Sequence, residues 1–191
     1  MRRRPPFPPN RRPPIGHRPR LALREAQQLK DRGDYKAAAN IFERLAKGAE
    51  DRGIERAPFL YLQAAHCYIL DGQTQRGVSF TNQGLRLFVK AKNWSALFRS
   101  GTRAVQVLKE NELQDAAQKI QTWLDEQLAD HPETKSMTFS QPQTQPTGKT
   151  QPHLPNKCPY CGANLRSDQA LWIDNQSVEC PYCGSAVSIG G

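Results

Sequence analysis

The sequence predicts an all-α domain of repeated helical hairpins, followed by a small β module that a metal ion holds together. Two observations carry this prediction. Residues 21–130 contain a single proline, Pro58, and show turn signals at a constant interval. Near the end of the chain, two Cys-x-x-Cys pairs lie at a spacing that is typical of a structural metal site.

The first hairpin is specified by the turn at its centre. Gly33 can take the left-handed conformation that ends a helix, and Asp34 can cap the helix that follows. After the turn, apolar side chains recur at the spacing of a single buried helix face. They are Ala38, Ile41, Phe42, Leu45 and Ala46.

The same turn signal returns twice, which indicates an internal repeat. Gly72 lies 39 residues after Gly33, and Asn111 lies 39 residues after Gly72. The residues before each turn also agree, and the small side chains among them allow paired helices to approach closely. The equivalent pairs are Ala26 and Leu29, Ala65 and Tyr68, and Ala104 and Val107.

This pattern resembles the tetratricopeptide repeat family. The first unit matches at Ala26, Gly33, Tyr35, Ala38 and Phe42, and the third at Ala104, Leu113, Ala116, Ile120 and Trp123. The second unit departs from the pattern at Thr74, Gly77 and Thr81, and the interval of 39 residues exceeds the family's usual ~34. The resemblance covers residues 21–130.

The resemblance implies an α-solenoid of about six helices with a concave face that binds a peptide or a helix. The positions that would line this face are Gln27, Lys30, Gln63, His66, Thr102 and Val105. A compact helical core or an oligomerisation surface is the alternative, with Trp94, Phe98 and Trp123 partly exposed at the open ends. Cys67 is expected to be a small buried apolar side chain.

Most of the net charge of +9 lies in residues 1–20, which hold seven arginines, seven prolines and no acid. Proline and like-charge repulsion predict an extended, disordered arm. Its arginines could attract nucleic acid or another polyanion, and a solubilising tail is the alternative. They are Arg2, Arg3, Arg4, Arg11, Arg12, Arg18 and Arg20.

Residues 131–157 are rich in Gln, Thr, Ser and Pro, which predicts a flexible linker. No apolar run approaches the ~18 residues that would span a membrane, and no secretory signal is visible. The expected location is therefore the cytoplasm, with no transmembrane segment.

Four cysteines predict a structural zinc site in residues 158–191. Two Cys-x-x-Cys turns, separated by 18 residues, can build a tetrahedral cage of four sulfurs that leaves no open position for water or substrate. Disulfides, which need an oxidising compartment, and iron in the same cage are the alternatives. The four expected zinc ligands are Cys158, Cys161, Cys180 and Cys183.

This segment resembles the zinc-ribbon family. Residues 170–173, 177–179 and 185–189 are predicted strands, and the metal should supply folding free energy that so short a module lacks. With zinc bound, its formal charge is about −4, so a protein surface is a better partner than nucleic acid. Candidate contact residues are Tyr160, Trp172 and Tyr182. The acidic module could also fold back on the arginine arm.

No catalytic constellation is visible, since the sequence lacks a glycine-rich phosphate loop, Gly-x-Ser-x-Gly and His-Glu-x-x-His. We therefore expect no enzyme but an adaptor or scaffold whose helical domain and zinc ribbon each contact protein. The alternative is a nucleic-acid-associated regulatory factor that uses the basic arm. Steep salt dependence of binding to generic DNA or RNA would distinguish the second from the first.

Overall fold

The computed structural model describes residues 17–131, 154–160, 163–165, 171–174, 177–180 and 186–188. Within these ranges the chain forms six α-helices and three β-strands. The helices are α1 (His17–Asp31), α2 (Tyr35–Glu50), α3 (Ala57–Leu70), α4 (Thr74–Lys90), α5 (Trp94–Glu110) and α6 (Gln114–Gln127). The strands are β1 (Leu171–Asp174), β2 (Ser177–Glu179) and β3 (Ala186–Ser188). The predominantly helical fold is confirmed, and α1 begins four residues before residue 21, the expected start of the domain.

Each of the first five helices ends on the same left-handed turn. The residues with positive φ are Gly33, Gly53, Gly72, Lys92 and Glu112. In each turn the next amide donates to a carbonyl five residues earlier, as in Asp34 N–H to Leu29 C=O (2.9 Å) and Gln73 N–H to Tyr68 C=O (2.8 Å). These are Schellman motifs, which satisfy helix-end carbonyls with local bonds. The five turns are spaced 19 or 20 residues apart, so successive helices have nearly equal lengths.

The predicted cap of α2 is confirmed, and α5 has an equivalent one. The Asp34 side chain accepts a hydrogen bond from the Ala37 amide (3.1 Å), and Asn93 accepts one from the Ala96 amide (3.1 Å). Each bond satisfies one of the four amides that a helix N-terminus leaves without an intrahelical partner. Turn and cap chemistry therefore define these helix boundaries.

Each helix packs on the next in chain order, and α3 is the central one. It packs against α2 on one side and α4 on the other, which explains why most of its surface is apolar. The core has two parts. The first contains Ala26, Ala38, Phe42, Ala64, Cys67 and Tyr68, and the second contains Ile69, Leu85, Phe88, Leu97, Leu108, Ile120 and Leu124, among others.

The burial predicted for α2 is confirmed at four of five positions. Ala38, Ile41, Phe42 and Ala46 are buried, whereas Leu45 is half-buried at the edge of the same cluster. Cys67, also predicted to be buried, is fully enclosed.

The second hairpin departs from the repeat pattern because its helices lie unusually close. A methyl group added to Gly77 would lie 2.5 Å from Ile69 Cγ1, and one added to Gly84 would lie 2.9 Å from the Pro58 carbonyl oxygen. Thr81 sits between them on the same face, buried, with its hydroxyl bonded to the Gly77 carbonyl (2.9 Å). Small residues on α4 therefore permit an approach to α3 that larger ones would block.

The C-terminal part of the chain contains a short antiparallel sheet in the order β1-β2-β3. Val178 on β2 pairs with Trp172 and with Val187, and a register shift falls between Trp172 and Asp174. The three predicted strands are present. Ahead of them, Lys157 and Asn164 form an isolated antiparallel bridge, which the Leu165 amide extends by bonding to the Asn156 carbonyl (3.0 Å).

In the parts of the chain that the structure describes, no helix has both the length and the apolarity needed to cross a membrane.

Candidate functional site: the inner recess and the cysteine module

The first helices of the three hairpins, α1, α3 and α5, bring polar side chains together on one side of the domain. Lys30 Nζ of α1 lies 3.1 Å from Gln63 Oε1 and 3.2 Å from His66 Nδ1, both on α3. Arg103 of α5 lies at the same site, because it lines a recess with Gln63 and His66. Three residues of the predicted concave set, Lys30, Gln63 and His66, are thus neighbours in space.

His66 is held in its neutral form. Burial first, and then the positive charges of Lys30 and Arg103, lower the pKa of His66 to about 3. A lysine ammonium has only hydrogens to donate, so Nδ1 must accept the bond from Lys30 and the ring proton must sit on Nε2. Two positive charges, those of Lys30 and Arg103, therefore lie beside a neutral histidine.

His66 and Arg103 line a recess of about 60 Å³ between α3 and α5, and Lys30 contacts His66 from α1. Its floor and walls are mainly apolar, and none of the described residues that line it is acidic. A site with cationic donors and no carboxylate favours a negatively charged group beside an apolar one. The apolar lining residues are Phe59, Leu62, Ala65, Ile69, Ala104 and Val107.

The prediction for the third hairpin is wrong. Val105 is buried in the core, and the exposed Thr102 bonds its hydroxyl to the Phe98 carbonyl (2.9 Å). Arg103, which the sequence argument missed, takes the position instead. The cause is the turn: its left-handed residue is Glu112, one residue after Asn111. Counted back from the left-handed residue of each turn, Arg103 of the third hairpin is equivalent to Gln63 of the second. A shift of one residue rotates a side chain by about 100° around the helix axis.

Gln27, the remaining predicted groove residue, is largely buried and makes a different contact. Its amide donates to Asp31 Oδ1 one helical turn further along α1 (2.9 Å). Because the Gln27 side chain bonds within its own helix, it stabilises α1 and does not contribute a contact for a ligand.

A second polar cluster joins α2, α3 and α4. The Tyr68 hydroxyl donates to Glu43, and the Tyr61 hydroxyl donates to Glu50. Arg76 Nη2 of α4 lies 2.9 Å from Glu43, and Gln83 Nε2 lies 2.9 Å from Glu50. The spacing is seven residues on each of the three helices, a signal that was present in the sequence and was not used.

The electrostatics of this cluster follow from its geometry. Burial and the bond to Glu43 raise the pKa of Tyr68, and burial and the bond to Glu50 raise that of Tyr61. Burial acts to raise the pKa of Glu43, but hydrogen bonds from Lys47 and Tyr68 outweigh it, so the pKa is lowered. Arg76 also lies 4.3 Å from the centre of the Tyr68 ring. These contacts stabilise the packing of the three helices against one another.

Of the four predicted zinc ligands, Cys158 and Cys180 fall within the described residues. Both are buried and belong to one apolar cluster with Ala163, Leu165 and Val178. The Cys158 amide donates to the Ala163 carbonyl (2.8 Å). Cys161 and Cys183 lie outside the described residues. Among the described residues alone, no three histidine, cysteine or acidic side chains are grouped closely enough to hold a metal.

Of the three predicted contact residues of this module, the structure describes the side chain of one. Tyr160 is half-buried, with the Arg56 guanidinium 5.5 Å from its ring centre. Tyr182 and the side chain of Trp172 lie outside what the structure describes, as do the arginines of residues 1–16.

Comparison with known proteins found no match: no family model, no curated protein and no solved structure is significantly similar to this chain.

Proposed function

We propose that the protein is a non-enzymatic adaptor whose helical domain, a divergent tetratricopeptide-like solenoid, binds an acidic segment of a partner protein in the recess between α3 and α5. One observation carries the proposal. Neutral His66 and Arg103 line the recess, Lys30 of the first hairpin contacts His66, and none of the described lining residues is acidic.

The chemistry of the recess defines the partner. The positive charges of Lys30 and Arg103 beside His66 favour a carboxylate, because hydrogen bonds to ionised acceptors are about twice as strong as those between neutral groups. The apolar walls next to them suit one hydrophobic side chain. The best ligand is therefore a peptide with an aspartate or glutamate beside an apolar anchor.

Peptide selection tests this proposal directly. The full-length protein should enrich peptides that contain Asp or Glu next to an apolar residue from a random peptide library. The double variant Lys30→Ala with Arg103→Ala should lose that enrichment. Lys119→Ala provides the control, since Lys119 is an exposed lysine on α6, outside the recess. Selection of peptides without acidic residues, or equal enrichment by the double variant, would reject the site.

The C-terminal module is proposed to be a zinc ribbon with Cys158, Cys161, Cys180 and Cys183 as ligands. Cys158 and Cys180 share one buried cluster, which brings together one cysteine from each Cys-x-x-Cys pair, as a site of four sulfurs requires. A zinc ion there would neutralise part of the thiolate charge and stabilise the module.

Metal analysis of the purified, reduced protein tests the ribbon. One zinc per chain is expected, with loss of the metal in Cys180→Ser. Cys67→Ala is the matched control, because Cys67 lies in the helical core and should leave the zinc content unchanged. A metal-free protein whose cysteines are paired as disulfides would refute the ribbon.

A second candidate, a nucleic-acid-associated factor, is favoured by the seven arginines in residues 1–20. Binding to generic RNA or DNA should then weaken steeply with salt, since each phosphate contact releases counterions. Deleting residues 1–16 removes most of these arginines and leaves α1 complete. Loss of binding on this deletion would support the arm as the contact, and unchanged binding would exclude it.

A further inference from the structure

The tip of the first cysteine turn touches the helical domain. Arg24 of α1 donates from Nη2 to the Pro159 carbonyl at 3.3 Å. Arg56, in the turn between α2 and α3, places its guanidinium 5.5 Å from the centre of the Tyr160 ring. Two consecutive residues after Cys158 are thus held by two arginines from different parts of the helical domain.

One side chain is shared by the two cores. Leu23 of α1 packs against the cluster that contains Phe42 and Tyr68, and it also packs against the cluster that contains Cys158 and Val178. Leu23 is half-buried, whereas Leu21, two residues earlier, remains 59% exposed. Leu23 therefore couples the packing of the two clusters, because its side chain would be exposed to water if either cluster moved away.

Charge and chain length are both compatible with this contact. The sequence gives residues 158–191 a net acidic charge, and the two contact residues on the helices are arginines. The linker between His131 and Leu154 has about 22 residues and can span at most about 75 Å. Six helices packed side by side at 8–10 Å measure about 50 Å, so the linker can return the module from α6 to α1.

We propose that the cysteine module is an intramolecular ligand of the helical domain. Residues Cys158–Tyr160 dock on the surface formed by Leu23, Arg24 and Arg56, and this docking holds the module beside the start of α1. A linker of this length gives an effective concentration in the millimolar range, so a few modest contacts keep the docked state populated. The docking site lies in α1 and the α2–α3 turn and does not include the predicted arm. This inference is independent of what binds in the recess.

Nuclear magnetic resonance on the full-length protein tests the docking. Nuclear Overhauser contacts are expected between the Leu23 methyl groups and methyl groups of Ala163, Leu165 or Val178. Tyr160→Ala should increase amide hydrogen exchange in residues 20–27 by at least about threefold and leave α5 and α6 unchanged, because exchange reports local opening. Asn164→Ala is the control, since Asn164 is exposed on the same module and should change neither.

A second variant separates docking from folding of the module, which Tyr160→Ala could disturb. Arg56→Gln lies on the helical side, where the Arg56 side chain makes no capping bond to α3. It should shift the Tyr160 ring resonances and the Cys158 amide and raise exchange in α1. Absence of the Leu23 contacts, together with unchanged α1 exchange in both variants, overturns the proposal.

Discussion

Glu43 and Glu50 lie seven residues apart on α2, and each carboxylate accepts a hydrogen bond from a tyrosine of α3 and another from a side chain of α4. Because α2 and α3 run in opposite directions, the earlier glutamate meets the later tyrosine, Tyr68. Phe80 of α4 lies between the two tyrosine rings, with centroids at 5.5 and 5.3 Å. Polar and aromatic contacts thus fix the register of three helices together.

Removing the Tyr68 hydroxyl should destabilise the helical domain. Tyr68→Phe keeps the ring packing but deletes a hydrogen bond to a charged acceptor, a type that contributes about 1.5–3 kcal/mol. We expect a loss of about 1–2 kcal/mol in the free energy of unfolding measured with urea, since Glu43 stays partly exposed to water. Tyr35→Phe, at a half-buried tyrosine for which the structure shows no hydroxyl bond, should change stability by less than about 0.5 kcal/mol.

Stability should fall on mild acidification because of His66. Its pKa in the folded state is about 3, so between pH 7 and pH 5 the unfolded chain takes up a proton that the folded chain does not. Stability is then lost as pH falls below about 6.5, by about 2 kcal/mol at pH 5. Glu43, with its lowered pKa, contributes only below about pH 4.5. Urea titrations at several pH values should show a clearly flatter profile for His66→Gln; an equally steep one would contradict the assignment.

Gly84→Ala should destabilise the second hairpin despite the better helix propensity of alanine. The new methyl group would meet the Pro58 carbonyl at 2.9 Å and Tyr61 Cβ at 3.2 Å, and overpacking of this kind costs about 1–3 kcal/mol. Gly48→Ala on α2 is the control, because its nearest neighbour would be the flexible end of Arg52 at 3.5 Å. It should stabilise by about 0.5–1 kcal/mol, so thermal unfolding should shift in opposite directions.

Glu112→Gly should stabilise the third hairpin. Glu112 has φ 62°, a conformation that costs a residue with a side chain about 1 kcal/mol and glycine almost nothing. The same holds for Lys92→Gly, whereas Lys90→Gly, inside the last turn of α4, should cost about 1 kcal/mol. Opposite signs for two substitutions two residues apart would establish that backbone conformation, and not the lost charge, is responsible.

Sequence reasoning succeeded where structure is decided by nearby residues. Gly33 and Asp34 define a turn through bonds that span at most five residues, and the spacing of Ala38 and Phe42 records one buried face. It failed at the third turn because the 39-residue interval from Gly33 to Gly72 led to Asn111, whereas the interval from Gly72 to the left-handed residue Glu112 is 40 residues. Because of this shift by one residue, Arg103 lies in the recess and Val105 lies in the core.

The contacts between distant segments could not be deduced. Arg24 and Pro159 are separated by 135 residues, and no periodicity links an arginine on α1 to the tip of a cysteine turn. In the sequence, only the opposite charges of the acidic module and the arginine arm indicated an attraction between distant segments. Those charges suggested that the module would dock on residues 1–20. The helices instead present Arg24 and Arg56, one on α1 and one at the start of α3.

The repeated left-handed turns also determine the order in which the helices of this domain can form during its synthesis. Each left-handed turn closes with bonds between residues that leave the ribosome within a few seconds of each other, at synthesis rates of about 5–20 residues per second. Most contacts between helices join neighbours in chain order, which keeps them local, and local contacts go with fast folding. The first hairpin can therefore form during translation, well before Cys158 has been synthesised, so the cysteine module meets a docking surface that already exists.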